Sequence, residues 1–269
     1  MTVIERTHGW RALDLREFWS FRELLELLVL RDLKVRYRQT FLGPLWVVAR
    51  PLATMAVFTL VFGVLVRVPT GGDPYAAFVL AGLLPWMFFS SSVTGAGSAL
   101  VGSAGLVGKV YFPRLMIPLS ALGGSLVDLG VSCVILVFLL PLFGVPWTPT
   151  LLLTPLPVFS MILLAAGVGA LFAALNVAWR DFGSAMGFLM QVWMFATPVV
   201  YPSELVPGKW RWVLDCNPMA GLVEGFRSAC LGGPLDLPAI GRATVVAALV
   251  FVAGVAYFKK VERRFADII

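Results

Sequence analysis

The stretch that decides the fold class is Leu151–Leu175, which reads LLLTPLPVFSMILLAAGVGALFAAL and contains no charged residue. A helix needs about 20 apolar residues to cross the hydrocarbon core of a bilayer. Segments of similar length and polarity lie on both sides of it. Residues 42–269 are therefore predicted to form an all-α membrane domain with six spanning helices, at 42–66, 76–101, 119–143, 151–175, 182–201 and 240–258.

The composition of the whole chain supports a membrane protein. Hydrophobic residues make up 59% of the 269 residues and charged residues 13%, whereas a soluble domain carries about 25% charged residues. So few charges cannot cover a water-exposed surface, and lipid must cover much of the protein. The net charge of +6 indicates contact with a membrane surface and not with nucleic acid, because the basic residues cluster at membrane flanks.

The distribution of Lys and Arg predicts the orientation. With the amino terminus inside, fifteen basic residues fall on the inner side and five on the outer side, and Arg50 lies within the first span. Inner loops of membrane proteins are enriched in Lys and Arg. We therefore expect a multi-pass protein of the plasma (cell inner) membrane, with both termini in the cytoplasm and residues 259–269 as a cytoplasmic tail.

The segment that precedes the first span, residues 1–41, is predicted to lie at the cytoplasmic interface. Between Trp10 and Gln39 apolar residues recur at helical spacing, and charged residues occupy the other faces. This pattern is typical of an amphipathic interface helix; an ordinary solvated helix is the alternative. Asp32 and Arg36 are four residues apart, a spacing at which side chains of opposite charge pair.

The outer connection between the fifth and sixth spans is unusual. Residues 202–239 are too few for a domain and too apolar for a free loop. We predict a re-entrant segment, with a loop lying on the membrane surface as the alternative. Its short helix is expected at Met219–Leu231. Cys216 and Cys230 could pair only if this segment faces an oxidising compartment. The apolar face of the short helix is predicted to comprise Leu222, Val223, Phe226 and Ala229.

The sequence lacks the residues that most enzymes need. His8 is the only histidine, and Asp128 is the one carboxylate clearly inside a predicted span. We therefore expect no catalytic site, metal or bound cofactor in this chain. The segment Ser103–Lys109 resembles a phosphate-binding P-loop, but Ser103 replaces its first glycine and Val110 replaces its magnesium-binding hydroxyl. Any ATP and Mg²⁺ would then be bound by a partner.

Polar groups inside membranes default to functional or packing roles. Arg50 precedes Pro51 in the first span. It could extend to the inner interface, pair with Asp128, or meet an anionic substrate. Asn176 and Gln191 are predicted to form hydrogen bonds between helices.

Aromatic residues are frequent in and beside the second and fifth spans. Most membrane aromatics contact lipid or anchor the interface. The alternative is a channel whose apolar rings stack against the C–H faces of sugars. The candidate channel aromatics are Trp86, Phe88, Phe89, Trp193, Phe195 and Tyr201.

Five short segments, in this order, resemble those of a known family, the ABC-2-type permeases that export O-antigen, teichoic acid and capsular polysaccharides. They are RDLKVRYRQTFLGPLW (31–46), KVYFPRLMIP (109–118), WRDF (179–182), TPVVY (197–201) and NPMAGL (217–222). Arg50 departs from the pattern, since an uncharged polar residue is expected before that proline.

The resemblance implies a homodimer of six-span subunits bound to two ABC ATP-binding subunits. It implies export of a lipid-linked polysaccharide; an exporter of a small hydrophobic compound is the alternative. The first cytoplasmic loop would contact the ATPase through Lys109, Tyr111, Phe112, Pro113 and Arg114.

A lipid-linked substrate would present a pyrophosphate near the inner headgroups, where cations meet phosphate without deep burial. The candidate contacts are Lys34, Arg36, Arg38 and Arg50. Binding of bulk anionic lipid is the alternative for each of them.

Overall fold

All regular secondary structure in the described part of the chain is helical. The computed structural model describes residues 19–37, 43, 45–103, 105, 112–179 and 181–262, and these contain no β-strand. The helices are α1 (Arg22–Tyr37), α2 (Leu45–Phe58, continued by a π-helix at Thr59–Leu65), α3 (Tyr75–Gly102), α4 (Met116–Leu142), α5 (Pro155–Ala178, after a 3₁₀ turn at Pro149–Leu153), α6 (Asp181–Phe195), α7 (Arg211–Cys216), α8 (Pro218–Leu231) and α9 (Leu237–Glu262).

Among the described residues, five helical segments are long and apolar enough to cross a membrane. They are Leu45–Leu65, Tyr75–Gly102, Met116–Leu142, Pro149–Ala178 and Leu237–Glu262. Five of the six predicted spans are thus confirmed as helices of sufficient length, with ends within a few residues of those expected.

The fifth predicted span, 182–201, differs from the prediction. Its helix α6 has 15 residues and ends at Phe195, which is short of the about 20 needed to cross. The backbone turns at 196–200. Pro198 has no N–H for a helical hydrogen bond, and the Thr197 hydroxyl donates to the carbonyl of Trp193 at 2.9 Å.

Two helices form the centre of the bundle. In the most apolar part of each span, 78% of the residues of α3 and 61% of those of the 149–178 span are buried, against 6% for α2. Helix α9 packs closely on α5, where a Cβ at Gly254 would clash with the carbonyl oxygen of Gly167. Asn176 donates to the carbonyl of Gly97 at 2.9 Å, which confirms the predicted bond between helices. Helix α2 therefore leaves most of its surface for lipid or another chain.

A second apolar cluster joins α1 to the carboxyl ends of α3, α5 and α9 and to the start of α4. Leu28 of α1 is 4% exposed and packs with Phe112, Met116 and Phe258. The helix lies against α4, where the Ser120 hydroxyl donates to Asp32 at 2.9 Å. The expected pair between Asp32 and Arg36 is wrong. Asp32 instead accepts from Arg31 at 2.8 Å, because α1 turns this carboxylate toward the first turns of α4.

The short helix in the outer connection is confirmed as α8. It begins after Asn217, whose side chain accepts from the backbone N–H of Met219 at 3.1 Å, and ends at Gly232 in a left-handed conformation with φ 79°. Its predicted apolar face is at most 1% exposed. Cys216 is exposed, Cys230 is buried, and both are free thiols, so the disulfide alternative is wrong.

Candidate functional site

A groove of about 700 Å³ lies between α1, α2, α3 and α4. It is lined by two of the predicted headgroup residues, Arg36 from α1 and Arg50 from α2, together with Asp128 of α4. On α3 the lining residues extend from Leu84 to Ser98, about 21 Å along the helix axis at 1.5 Å per residue. The groove therefore follows the direction of the spans, and its charged lining residues give it a net positive charge.

Gly123 lets α1 approach α4 closely, and the neighbouring Gly124 faces Arg36. A Cβ at Gly123 would lie 2.6 Å from a methyl group of Val29, and one at Gly124 would lie 3.6 Å from the Arg36 guanidinium. This approach brings Arg36 Nη1 within 2.5 Å of Asp128 Oδ2. The pair is partly exposed to the groove, with side-chain exposures of 37% and 26%. The structure therefore gives Arg36 as an ion-pair partner of Asp128, which the sequence had suggested for Arg50.

The other predicted headgroup residues differ in whether they line the groove. Arg50 is exposed on the groove wall, and its carbonyl accepts from the Thr54 hydroxyl at 2.9 Å. Lys34 is exposed on α1 and does not line the groove. Arg38 lies outside the described residues. Contact of any of these with a phosphate stays a prediction.

Hydroxyl groups of α3 and α4 also line the groove. Thr94 donates to the carbonyl of Ser90 at 2.7 Å and Ser98 to that of Thr94 at 2.9 Å. Ser91 donates to the Ser125 hydroxyl of α4 at 3.1 Å. Because these hydroxyls donate within the protein, their oxygen lone pairs remain as acceptors. The groove thus combines guanidinium donors with hydroxyl acceptors.

The candidate channel aromatics occupy different environments. Trp86, Phe88 and Phe89 are buried in the subunit core, at 4%, 3% and 0% exposure, and Phe88 also lines the groove. The Phe89 ring packs edge-to-face against Trp193, with centroids 5.1 Å apart. Phe195 is 53% exposed. A channel-lining role stays a prediction, and the burial of Trp86 and Phe89 does not favour it for those two.

The described end of the predicted coupling loop contacts the end of α9. The Arg114 backbone N–H donates to Glu262 Oε1 at 3.2 Å, and its Nη1 donates to the Glu262 carbonyl at 2.8 Å. Phe112 is buried and Pro113 is half-buried. Lys109 and Tyr111, like most of the P-loop-like segment, lie outside the described residues. The loop is therefore fixed to the end of α9.

Tyr201 lies just beyond α6. Its hydroxyl donates to the carbonyl of Phe195 at 2.9 Å. Nearby, the Tyr75 hydroxyl at the start of α3 donates to the carbonyl of Val200 at 2.7 Å. The two tyrosines hold the turn that follows α6.

Sequence reasoning missed a larger cavity of about 920 Å³ beside α8, in the connection between α6 and α9. Arg227 of α8 lines it and is 4% exposed. Its Nη2 donates to the carbonyls of Pro198 and Val199 at 2.8 and 2.7 Å, and its Nε to that of Phe78 at 3.2 Å. The available signal was Glu224 and Arg227 at helical spacing on an otherwise apolar helix. Arg227 holds the turn after α6 against α3 and α8.

The ionisable groups of this cavity, which lie outside the spanning helices, are perturbed by burial. Burial raises the pKa of Glu224, and that of Asp73 as well, while the positive charge of Arg227 opposes both shifts. Burial lowers the pKa of Arg227 to about 10, so it remains a cation at neutral pH. In the described part of the chain no group of three or more His, Cys, Asp or Glu residues could hold a metal ion.

Comparison with known proteins identifies the family. Residues 23–231 match the family described as ABC-2 type transporter. The O-antigen export system permease protein RfbA of Klebsiella pneumoniae is 31% identical over 250 residues, covering 92% of this chain and 95% of that protein. RfbA of Myxococcus xanthus is 35% identical, covering 79% and 82%. The polysialic acid transport protein KpsM of Escherichia coli is 25% identical, covering 78% and 81%. With such coverage over a bundle of apolar helices, this chain is a member of the ABC-2 type transporter family.

Proposed function

We propose that this chain is the membrane permease subunit of an ABC transporter that exports a lipid-linked polysaccharide. Two subunits would form a homodimer in the plasma membrane and bind two ATP-binding subunits, which supply ATP hydrolysis. The main support is the similarity to O-antigen export permeases along 92% of the chain. A groove with guanidinium donors and hydroxyl acceptors suits a sugar phosphate better than a small hydrophobic compound.

In this proposal the groove receives the pyrophosphate of the lipid-linked glycan. Arg36 and Arg50 line the same cavity from two different helices, so one pyrophosphate could contact both. Arginine forms bidentate hydrogen bonds with phosphate oxygens. The adjoining Ser91, Thr94 and Ser98 would accept hydrogen bonds from sugar hydroxyls. The lipid chain would remain in the bilayer beside α2, whose surface is largely unburied.

The proposed topology has six spans, with both termini in the cytoplasm. Helix α6 and the turn after it would complete the fifth crossing, and residues 202–239 would re-enter the membrane from outside. Burial of the apolar face of α8 against α3, α5 and α9 supports a connection that sinks into the bundle. Its outer position follows from the Lys and Arg bias.

The coupling loop would transmit movement of the ATPase to the spans. Arg114 connects this loop to Glu262 at the end of α9, and Phe112 packs in the same cluster as Leu28 of α1. A push on the loop would therefore move α1, α4 and α9 together. The ATPase would bind where these elements meet.

Export in cells that lack the native gene tests this function. Restoring the wild-type chain should return the polysaccharide to the cell surface. Arg36→Gln or Arg50→Gln should reduce export about tenfold or more, since each removes charge-assisted hydrogen bonds to the pyrophosphate. Arg22→Gln is the matched control, because Arg22 lies on α1 outside the groove.

Membrane levels of each variant, measured by immunoblot, separate a transport defect from failed insertion. Lipid-linked glycan should accumulate inside cells that carry the groove variants. Full export by a double Arg36→Gln, Arg50→Gln variant would refute the headgroup assignment. Normal surface glycan without the wild-type chain, together with greater sensitivity to hydrophobic drugs, would instead support export of small compounds.

A further inference from the structure

The ion pair between Arg36 and Asp128 lies inside the groove that is proposed to receive the pyrophosphate. Both residues line the groove, and both side chains are partly exposed. The contact that the structure describes joins one guanidinium nitrogen, Nη1 of Arg36, to one carboxylate oxygen, Oδ2 of Asp128. A carboxylate therefore already binds one of the two arginines that would hold the phosphate.

This contact engages the group that a phosphate needs. A guanidinium binds phosphate best through two parallel N–H donors. A phosphate brought to another edge of Arg36 would lie close to the Asp128 carboxylate, and like charges that share a site repel each other. A phosphate and Asp128 would thus compete for the same guanidinium.

The ion pair is weak enough to be displaced. The side chains of Arg36 and Asp128 are 37% and 26% exposed, and ion pairs at exposed positions shift an equilibrium by a factor of only about 1.5 to 5. A diphosphate carries more than one negative charge, and it could also bind Arg50 of α2, which lines the same groove. The diphosphate therefore has two cations to bind, whereas Asp128 contributes a single charge.

From this competition we propose that the pair of Arg36 and Asp128 is an autoinhibitory latch, which a lipid-linked diphosphate opens by taking the place of the carboxylate. In the empty groove Asp128 holds Arg36. In the occupied groove the diphosphate bridges Arg36 and Arg50. The latch rests on the proposed function, because its ligand is the headgroup of the exported glycan. It gives a role to Asp128, a residue that the substrate itself would not bind.

Opening the latch would change the helix to which the end of α1 is attached. Arg36 lies in the last turn of α1. Its ion pair joins this turn to α4, whereas a diphosphate on Arg36 and Arg50 would join it to α2. Earlier in α1, the contact of Asp32 with Ser120 and the packing of Leu28 in its apolar cluster would remain. Occupancy of the groove would thereby be transmitted to α1, which packs in the same cluster as the coupling loop.

Binding of a diphosphate to the purified full-length chain tests the latch. The chain is placed in phosphatidylcholine nanodiscs, and the binding of farnesyl diphosphate is measured by calorimetry. Asp128→Asn should bind about fivefold more tightly than the wild type, because the wild-type affinity is reduced by the fraction of molecules in which Asp128 occupies Arg36. Asp128→Glu keeps a carboxylate and should bind like the wild type. Glu23→Gln is the matched control and should also bind like the wild type, because it removes a carboxylate of α1 that does not line the groove.

Infrared spectroscopy follows the carboxylate itself. The difference spectrum on adding farnesyl diphosphate to the wild type should show a shifted carboxylate stretching band, because Asp128 loses its guanidinium donor. The same band should be missing from the difference spectrum of Asp128→Asn.

Nanodiscs of phosphatidylglycerol separate the two sources of phosphate, the lipid-linked diphosphate and bulk anionic lipid. If bulk lipid opened the latch, Arg36 would already be released in these nanodiscs, and Asp128→Asn would gain no affinity. We expect the gain in affinity of Asp128→Asn to persist there.

Three results would overturn the latch: equal or weaker binding by Asp128→Asn, no change in a carboxylate band when the wild type binds the probe, or loss of the gain in phosphatidylglycerol. Weaker binding would mean that Asp128 positions Arg36 for phosphate. Failure of the wild type to bind farnesyl diphosphate would remove the headgroup assignment and the latch with it. Export in cells is measured in parallel. Any of these results together with export that depends on the wild-type chain would refute the latch alone, whereas absence of such export would refute the proposed function itself.

Discussion

The ion pair between Arg36 and Asp128 is the point at which the interface helix is attached to the membrane bundle by charge. We expect Arg36→Gln and Asp128→Asn each to lower the thermal midpoint of the purified protein, because either change removes the ion pair between α1 and α4. The double variant should lose less than the sum of the two, since neither charge then remains. The change in stability of the double variant minus the sum of the two single changes measures the coupling between the two side chains.

The size of this coupling follows from the exposure of the pair. Ion pairs at fully exposed positions contribute about 0.2–1 kcal/mol, and the side chains of Arg36 and Asp128 are 37% and 26% exposed. Solvent in the groove screens the pair, which keeps the coupling within this range. Because both side chains are also partly buried, we expect a coupling near the upper end of the range, about 1 kcal/mol. For a protein of this size that corresponds to about 2–4 °C in the thermal midpoint. Midpoints should be compared in one detergent at one scan rate.

A charge reversal separates attachment of the helix from contact with substrate. The double variant Arg36→Asp, Asp128→Arg recreates the pair with the charges exchanged. It should recover most of the thermal midpoint but not export, because a carboxylate then faces the pyrophosphate from α1. In the cycle of Arg36→Gln, Asp128→Asn and their double variant, the free-energy changes of the single variants could add to that of the double variant within about 0.3 kcal/mol. That result would show that the pair contributes nothing to stability. Full export by the reversed variant would remove Arg36 from substrate binding.

Two further predictions concern the packing of the bundle and the base of α8. Gly254→Ala should lower the thermal midpoint, because its Cβ would meet the carbonyl of Gly167 and overpacking costs about 1–3 kcal/mol. Gly241→Ala is the control on the same helix, because its Cβ meets nothing within 4 Å. The thermal midpoint of this control should stay the same or rise. Equal losses in the two variants would contradict this packing. Asn217→Ala should cost about 3 kcal/mol, since its side chain accepts from Met219 and Trp193 and donates to two groups at 196–197. Asn217→Asp, which keeps both acceptor contacts, should lose less stability than Asn217→Ala. A thermal midpoint equal to that of the wild type for Asn217→Ala would show that these hydrogen bonds are dispensable.

Most of the architecture could be predicted from the sequence because hydrophobicity in a bilayer is a local property. Each stretch such as 119–143 or 151–175 must satisfy its own backbone hydrogen bonds in lipid, and only a helix does so within one segment. The ends of α8 were predictable for a similar reason, since Asn217-Pro218 starts a helix and Gly232 ends one. The fifth span was not, because Thr197-Pro198 could either kink a continuous helix or end it.

The candidate site was predictable only in part. Arg36, Arg50 and Asp128 stood out as charges in or beside apolar helices, but the sequence contained no information on which of them meet. Arg227 drew no attention, since one arginine in an outer segment resembles any other charge of a solvated loop. Its burial follows from contacts with residues about 30 and 150 positions away, at Val199 and Phe78.

The sequence alone determined that this chain is a helical membrane protein, where most of its helices lie along the chain, and to which family it is similar. Lipid imposes these features on each segment separately, so they can be recognised without knowing the neighbours. Only the tertiary structure decided that Arg36 pairs with Asp128, that Trp86 and Phe89 are core residues, and that Arg227 is buried beside a cavity. Such pairings depend on helix rotation and on close approach at glycines such as Gly82 and Gly123, which the packing of the whole bundle sets.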